Sequence, residues 1–226
     1  MIYNICARHK CGSTILGRIL KSLKEFDQYK DNKINFSRLY SDFNFNQEDK
    51  FLFIERNPIS ICISMFYSFG YIHSKPERFT DEQFVKWRNN IINLGLDNYV
   101  SSKVQTQIDE VEKALQRNGE RFGLLPYELM ISDFESFLIK LLNFLEMPKA
   151  FDFVYSKWGD SFRPIQDRSE QIVNGDVKAH KRTTDINEWR KKLSSQEIKK
   201  YLKNPIIINY LNFVDKELNN PESLIC

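Results

Sequence analysis

The chain of 226 residues has few cysteines and histidines, no long apolar run and a small net charge. Its four cysteines form no C-x-x-C pair and no cluster with the three histidines, which predicts reduced thiols and argues against a structural metal site. No apolar run approaches the roughly 20 residues of a membrane helix, and the first residues lack the features of a signal peptide. A formal net charge of +3 is too small to indicate nucleic-acid binding. We therefore expect a cytoplasmic protein with neither a membrane nor a nucleic acid as partner.

A packed core is expected, because 42% of the residues are hydrophobic and 28% are charged. Apolar runs predict buried strands at residues 2–6, 51–54 and 122–125, each followed by a segment with helical periodicity. Residues 27–49 read as polar and irregular. Strands separated by helices predict an α/β fold with a central parallel sheet and helices on both faces, as one domain over residues 1–226. Ligands bind such folds at the carboxyl ends of the strands.

Further along the chain, helical periodicity predicts two helices over residues 80–96 and 99–118, and a mostly helical segment over 185–218. Thr80 with Gln83 fits a capping box at the start of the first of these helices. An aspartate, Asp133, is placed to cap a strongly amphipathic helix that follows the third strand.

The segment from His9 to Thr14 joins the first predicted strand to the first predicted helix. A helix N-terminus there offers unpaired backbone N–H groups and a partial positive charge to a phosphate. Gly12 lets the backbone approach an anion closely, and Lys10 adds a positive charge. The Ser13 and Thr14 hydroxyls add donors. An ordinary helix start with a solvated Lys10 explains the same pattern equally well.

This loop differs from the Walker A motif, in which two glycines precede a Lys and a Ser or Thr. Here Lys10 precedes Gly12, and no second glycine lies upstream. The order of these residues disfavours a nucleoside-triphosphate-dependent kinase.

A second candidate anion site follows the second predicted strand. Arg56, Asn57 and Pro58 stand at the end of that strand, and Ser64 lies two turns into the next helix. An arginine at a strand's end and a serine on the adjoining helix can hold a second phosphate. An ordinary helix start with a surface arginine is the alternative.

Together the two segments resemble the cofactor-binding motifs of the sulfotransferase superfamily, whose members use 3′-phosphoadenosine 5′-phosphosulfate. The first motif of that family resembles P-K-x-G-T-T-x-L. The residues of this chain that match it are Lys10, Gly12, Thr14 and Leu16, with Ser13 in place of a threonine. The second motif resembles R-[DN]-P-x-[DS]-x-x-x-S, and the segment from Arg56 to Ser64 matches it throughout.

Two weaker similarities follow in the same order as in the family. Tyr127, Glu128 and Leu129 resemble a Y-E-D-L segment, and a late R-K-G-x-x-G-x-W motif keeps Arg182 and Trp189 but neither glycine. The four elements span about residues 2–193. The resemblance implies a three-layer α/β domain related to the nucleotide kinases.

The resemblance also implies a role for each matched position. The cradle for the 5′-phosphosulfate would consist of Lys10, Cys11, Gly12, Ser13 and Thr14. Lys10 would neutralise the bridging oxygen as the sulfuryl group leaves. The 3′-phosphate would be held by Arg56, Ser64 and Arg182, and Tyr127 would contact the adenine. The implied products are 3′,5′-ADP and a sulfated hydroxyl or amine of a small-molecule acceptor, formed by positioning and electrostatics with no obligatory metal.

Ile15 replaces a tryptophan that often stacks on adenine in the family. The general base is left open, because the K-T-H segment of many family members is absent. His9 stands near the expected transfer point, and histidine titrates near neutral pH, which suits a base. Asp42 lies in the segment expected to border the acceptor and ranks with His9, while His73 is a third candidate. An ordinary loop or surface residue is the alternative for each of them.

Two other functions remain compatible with the sequence. One is a kinase-like phosphotransferase of the related P-loop class, which the glycine pattern disfavours. The other is a non-catalytic nucleotide-binding protein on the same fold, which the missing base and glycines keep open.

Overall fold

The computed structural model describes residues 2–26, 33–45, 48–117, 119–162 and 185–219, except for the side chains of residues 161 and 162. The chain divides into two compact units. The first unit comprises residues 1–56, 111–164 and 209–226, and the second unit comprises residues 57–110 and 165–208. That residues 1–226 act as one domain stays a prediction.

A four-stranded sheet forms the centre of the first unit. Its strands are β1 Ile2–Ala7, β2 Lys33–Ser37, β3 Lys50–Glu55 and β4 Phe122–Pro126. All three strand pairings are parallel, and the spatial order is β2-β1-β3-β4. The predicted α/β class with a central parallel sheet is confirmed. The loops that follow the four strands lie along one edge of the sheet, which we call the carboxyl edge.

Strand β2 lies in a segment that the sequence had predicted to be irregular, and that prediction was wrong. The strand alternates polar and apolar residues, so only Ile34 and Phe36 are apolar. Phe36 packs against Gly17, whereas Asn35 on the opposite side donates a hydrogen bond of 3.0 Å to Asn4 Oδ1. A short edge strand with two apolar residues gives a weak signal in sequence, because pairing with β1 supplies much of its stability.

The helices that the structure describes are, in chain order, α1 Ser13–Leu23, α2 Pro58–Tyr67, α3 Asp81–Leu94, α4 Leu96–Leu115, α5 Tyr127–Ser132, α6 Phe134–Phe144, α7 Phe151–Trp158, α8 Glu188–Lys192, α9 Ser195–Tyr201 and α10 Pro205–Asn219. Short 3₁₀ turns lie at Tyr40–Asp42, Pro148–Ala150 and Gly159–Phe162, and a π-helical turn at Ser68–Ile72 follows α2.

Both faces of the sheet are covered within the first unit. On one face, side chains such as Ile5 and Leu52 pack with Leu16 of α1 and Phe137 of α6. On the other face, a second apolar cluster packs with Ala114 of α4 and comprises Cys6, Phe51 and Phe53, with Tyr40, Phe43 and Phe122 at its margin. Each large side chain buried in this way contributes about 1.5–3 kcal/mol of transfer free energy. The sheet thus lies between two apolar layers, as predicted.

The predicted helix starts are confirmed. The Thr80 hydroxyl accepts a hydrogen bond from the Gln83 N–H at 3.2 Å, and the Gln83 side chain accepts one from the Thr80 N–H at 2.9 Å. Asp133 Oδ1 accepts from the Ser136 N–H at 3.0 Å. Within the second unit, α2, α3 and α4 meet in a cluster built on Phe66, Ile91 and Tyr99.

A helix that crosses a membrane needs about 20 consecutive, mostly apolar residues. No helix within the described ranges is both long and apolar enough to cross a membrane.

A buried ion pair joins α6 to α10 in the first unit. Lys140 Nζ lies 2.7 Å from Glu217 Oε2, and the two side chains are 3% and 10% exposed. Lys140→Met should lower the free energy of unfolding by about 3–5 kcal/mol, because it leaves a buried carboxylate unpaired. Lys140→Met/Glu217→Met should recover most of that loss. Urea unfolding measures both variants, and a loss below about 1 kcal/mol for Lys140→Met would contradict the expectation.

Candidate active site

Four loops meet at the carboxyl edge, and all of them belong to the first unit. The loop after β1 carries His9 and Lys10, the loop after β2 carries Asp42, Arg56 follows β3, and Tyr127 follows β4. Neighbouring parallel strands end side by side, so these residues from distant parts of the sequence share one edge of the sheet.

The loop after β1 has an unusual backbone. The Cys11 N–H donates to the Arg8 carbonyl at 3.0 Å, which closes a tight turn with Lys10 as its third residue. Lys10 and Gly12 both have left-handed backbones, with φ of 71° and 76°, whereas Cys11 between them does not. A left-handed lysine costs about 1–3 kcal/mol, and residues strained in this way cluster at functional sites. Backbones that alternate in this way turn successive N–H groups towards one point and bind anions.

Helix α1 begins directly after this loop. Gly12 is its N-cap residue and, as a glycine, has no side chain that could cap the helix. The Leu16 N–H donates to the Gly12 carbonyl at 3.0 Å, so the amides of Ser13 and Thr14 precede the first hydrogen bond of the helix. Ser13 is buried and Thr14 is exposed. The positive end of the helix dipole therefore lies at the carboxyl edge, next to the left-handed turn.

Arg56 connects this loop to the end of β4. Its Nη1 donates a hydrogen bond of 3.2 Å to the Lys10 carbonyl. Its guanidinium carbon lies 4.7 Å from the centre of the Tyr127 ring. A guanidinium has five N–H donors, of which the Lys10 carbonyl takes one. The structure thus brings together Lys10, Arg56 and Tyr127, which the sequence assigned separately to a nucleotide site.

Helix α5 packs directly against Gly12. A Cβ atom on Gly12 would lie 2.2 Å from Met130 Cε and 3.0 Å from Tyr127 Cε2. Any larger residue would therefore displace the α5 side chains as well as strain the backbone. Gly12 is required by two constraints at once, the close approach of α5 and its left-handed φ.

A buried ion pair that the sequence did not reveal lies between the ends of β1 and β3. Arg8 Nη2 is 2.5 Å from Glu55 Oε2, and Arg8 Nε is 3.0 Å from Glu55 Oε1. Glu55 is fully buried and Arg8 is 8% exposed. Burial alone would lower the pKa of the Arg8 guanidinium, but the Glu55 carboxylate outweighs burial and raises that pKa above its ordinary value. The Arg8 guanidinium therefore stays charged, and the Tyr40 hydroxyl donates a further hydrogen bond to Glu55.

Other buried polar groups surround this pair. The Tyr210 hydroxyl of α10 lies 2.8 Å from Glu128 Oε2 and 2.9 Å from the Glu55 carbonyl oxygen. Burial, and then the Glu128 charge, raise the pKa of Tyr210 well above its ordinary value. Burial, followed by the Glu55 charge, likewise raises the pKa of the Cys11 thiol. Cys11 therefore stays a thiol at neutral pH, which leaves its backbone as the part suited to a ligand.

The sequence held one signal for the Arg8–Glu55 pair. Each residue directly follows or ends an apolar strand, and β1 pairs with β3 so that Ala7 lies beside Ile54. The residue that follows each of these two is charged, since Arg8 follows Ala7 and Glu55 follows Ile54. The pairing of β1 with β3 had to be known before the two charges could be matched.

The three candidate bases occupy different places. Asp42 ends the Tyr40–Asp42 turn after β2, is exposed, and accepts a hydrogen bond from the Ser37 hydroxyl. His9 is exposed in the turn after β1, the strand next to β2. His73 is exposed in the second unit, where its ring lies 5.6 Å from the ring of Phe69. Asp42 and His9 therefore follow adjacent strands at the carboxyl edge.

Two further predicted residues are not among the described residues of the first unit. Ser64 lies half-buried on α2 in the second unit. Arg182 lies outside the described residues. Their contribution to a phosphate site with Arg56 stays a prediction.

Substitution of Gly12 tests the packing of the loop. Gly12→Ala should lower the free energy of unfolding by about 1–2 kcal/mol for the left-handed backbone. The new Cβ would also meet Met130 Cε and the Tyr127 ring, and the shift of these side chains should add about 1–3 kcal/mol. Denaturant unfolding measures the loss, and a loss of no more than about 2 kcal/mol would show that the contact with α5 is easily relieved.

Comparison with known proteins gives a family. A family model described as a sulfotransferase domain matches residues 38–204, a stretch that includes Arg56 and Tyr127 and begins after the loop from His9 to Thr14. No curated protein matches the chain. Among solved structures, the chain is similar to mouse sulfotransferase SULT7A1 complexed with PAP, with 15% identity, 89% of this chain and 81% of that chain covered, and a TM-score of 0.42. Since the family model matches well over half of the sequence, the chain belongs to the sulfotransferase family.

Proposed function

We propose that this sulfotransferase moves a sulfuryl group from 3′-phosphoadenosine 5′-phosphosulfate to a hydroxyl or amine of a small-molecule acceptor. The family supports the sulfuryl transfer. The observation that carries the choice of donor is the contact between Arg56 and the left-handed Lys10 turn at the start of α1. Two groups suited to anions, a backbone cradle and a guanidinium, thereby lie next to each other.

The residues of the carboxyl edge fit a nucleotide with two separate phosphate groups. The amides of Ser13 and Thr14, with the helix dipole, suit the 5′ group. Arg56 keeps further N–H donors for the 3′-phosphate while one donor holds the Lys10 carbonyl. The Tyr127 ring offers a flat surface near both groups, in line with a role beside the adenine.

The donor supplies an activated sulfuryl group whose bridging oxygen becomes negatively charged as the bond breaks. We assign the Lys10 ammonium to that oxygen, where it neutralises the developing charge. The amides and hydroxyls of Ser13 and Thr14 hold the peripheral oxygens. These donors belong to a turn and a helix start that are already folded, so little reorganisation accompanies the reaction.

We propose His9 or Asp42 as the proton acceptor for the acceptor hydroxyl or amine. Both side chains are exposed, and they follow the adjacent strands β1 and β2. The Ser37 hydroxyl donates to the Asp42 carboxylate and so fixes its position. His9 lies directly before Lys10, next to the expected transfer point.

Transfer of labelled sulfuryl from the donor to a panel of small hydroxyl and amine acceptors tests the function. Lys10→Ala should lower the transfer rate by about 10²–10³-fold, because the leaving oxygen loses its positive partner. Lys24→Ala, which removes an exposed lysine at the other end of α1, should leave the rate unchanged. Absence of transfer by the wild-type chain across the panel would favour a non-catalytic nucleotide-binding protein. With an active acceptor, His9→Asn and Asp42→Asn identify the base by which of them abolishes transfer.

The role of Arg56 is tested by binding rather than by turnover. Arg56→Ala should weaken 3′,5′-ADP by about tenfold or more relative to its effect on adenosine 5′-phosphate, since a charged hydrogen bond to the 3′-phosphate is lost. A smaller loss for adenosine 5′-phosphate is also expected, because Arg56 holds the Lys10 carbonyl. Arg18→Ala, on the exposed side of α1, is the control. Calorimetry measures all four affinities, and equal losses for the two nucleotides would refute the assignment.

A further inference from the structure

We propose that Glu55 is a positioning residue that, through Arg8, fixes both anion-binding loops of the carboxyl edge and, through Tyr40, the segment that carries Asp42. This role rests on the proposed function, because a ligand site at the carboxyl edge is what these buried groups would position. It adds three residues, Arg8, Glu55 and Tyr40, that neither cofactor motif contains.

The contacts form a closed ring between the ends of β1 and β3. Arg8 pairs with Glu55 through two of its nitrogens. The residue after Glu55 is Arg56, whose Nη1 returns to the Lys10 carbonyl at 3.2 Å. Lys10 is two residues from Arg8 in the same turn, which the hydrogen bond from the Cys11 N–H to the Arg8 carbonyl closes. The two loops are therefore linked twice, once by the ion pair and once by Arg56.

This ring explains how the turn keeps a strained backbone. A left-handed lysine persists only where its surroundings enforce it. The Arg8 end of the turn is held by Glu55, and the Lys10 carbonyl is held by Arg56. Removal of the ion pair frees one end of the turn, so Lys10 can relax towards an ordinary backbone. The N–H groups that follow the turn, ahead of the first hydrogen bond of α1, would then be displaced from the proposed phosphate.

Stability alone does not account for a charged pair in this position. Replacement of buried ion pairs by apolar side chains of similar size is often neutral or stabilising, because both charges must be taken out of water. Glu55 is fully buried beneath a site proposed for anions, where an unpaired carboxylate would repel the ligand. Arg8 cancels that charge, which leaves Lys10 and Arg56 to attract the phosphates.

Tyr40 extends the same arrangement to the loop after β2. Its hydroxyl donates to the Glu55 carboxylate, and its ring packs edge-on against Phe53 with centroids 5.1 Å apart. Burial, and then the Glu55 charge, raise the pKa of Tyr40 above its ordinary value, so the hydroxyl stays a donor. Asp42 is two residues further along the same 3₁₀ turn. One carboxylate thus fixes the donor loops and the segment of a candidate base.

The first test removes the ion pair without leaving a buried charge. Arg8→Met/Glu55→Met should weaken 3′,5′-ADP by about tenfold or more and leave adenosine unchanged, because the backbone cradle for phosphate is misplaced. Lys140→Met/Glu217→Met removes a second buried ion pair of the same unit and should change neither affinity. Calorimetry gives the affinities, and thermal unfolding shows whether the two double variants are equally stable. Arg8→Lys, which keeps the charge but not the two-pronged pairing, should give an intermediate loss and serves if the double variant does not fold.

The second test measures by amide hydrogen exchange how firmly the two loops are held. Tyr40→Phe should speed exchange in residues 38–45 and leave residues 9–14 unchanged. Arg8→Met/Glu55→Met should speed exchange in both segments. Faster exchange spread evenly over the whole unit would indicate a purely structural pair and overturn the inference.

The outcomes separate this inference from the proposed function. If the wild-type chain does not bind 3′,5′-ADP, the proposed donor is wrong, and the exchange pattern alone decides whether Glu55 positions the loops. If the wild type binds and Arg8→Met/Glu55→Met binds equally well, the donor stands and the positioning role is refuted.

Discussion

The ion pair between Arg8 and Glu55 is the interaction on which the geometry of the carboxyl edge depends. It joins the ends of the two central strands, β1 and β3, where both are buried. Each partner stands just before a segment of the proposed nucleotide site, since Lys10 follows Arg8 by two residues and Arg56 follows Glu55 by one. The sheet brings the two strands together, and the ion pair sets the direction in which their loops leave the sheet.

The charges at this edge are divided between buried and accessible groups. Glu55 and Arg8 neutralise each other inside the protein, and the Tyr40 and Tyr210 hydroxyls stay protonated there. Lys10, Arg56 and the N-terminus of α1 supply the positive charge that the proposed nucleotide would meet. This arrangement suits a ligand with several negative charges better than a neutral one.

Much of the fold could be predicted from the sequence, because β1, β3 and β4 are continuous apolar runs and Thr80 and Asp133 are placed to cap helices. Strand β2 was missed, since an edge strand needs only one apolar face. The motifs around Lys10 and Arg56 marked the carboxyl edge. The sequence alone does not show that Lys10 has a left-handed backbone or that Arg56 donates a hydrogen bond to the Lys10 carbonyl. Those features follow from the order of the strands, which only the folded chain displays.

We propose that the carboxyl edge is built for a nucleotide with phosphate at both the 5′ and 3′ positions. Calorimetric titration of the wild-type chain with 3′,5′-ADP and, separately, with ATP and magnesium tests this proposal most directly. Binding of 3′,5′-ADP with little or no binding of ATP and magnesium is the expected result. Tight binding of ATP and magnesium with no binding of 3′,5′-ADP would contradict it and favour a phosphotransferase.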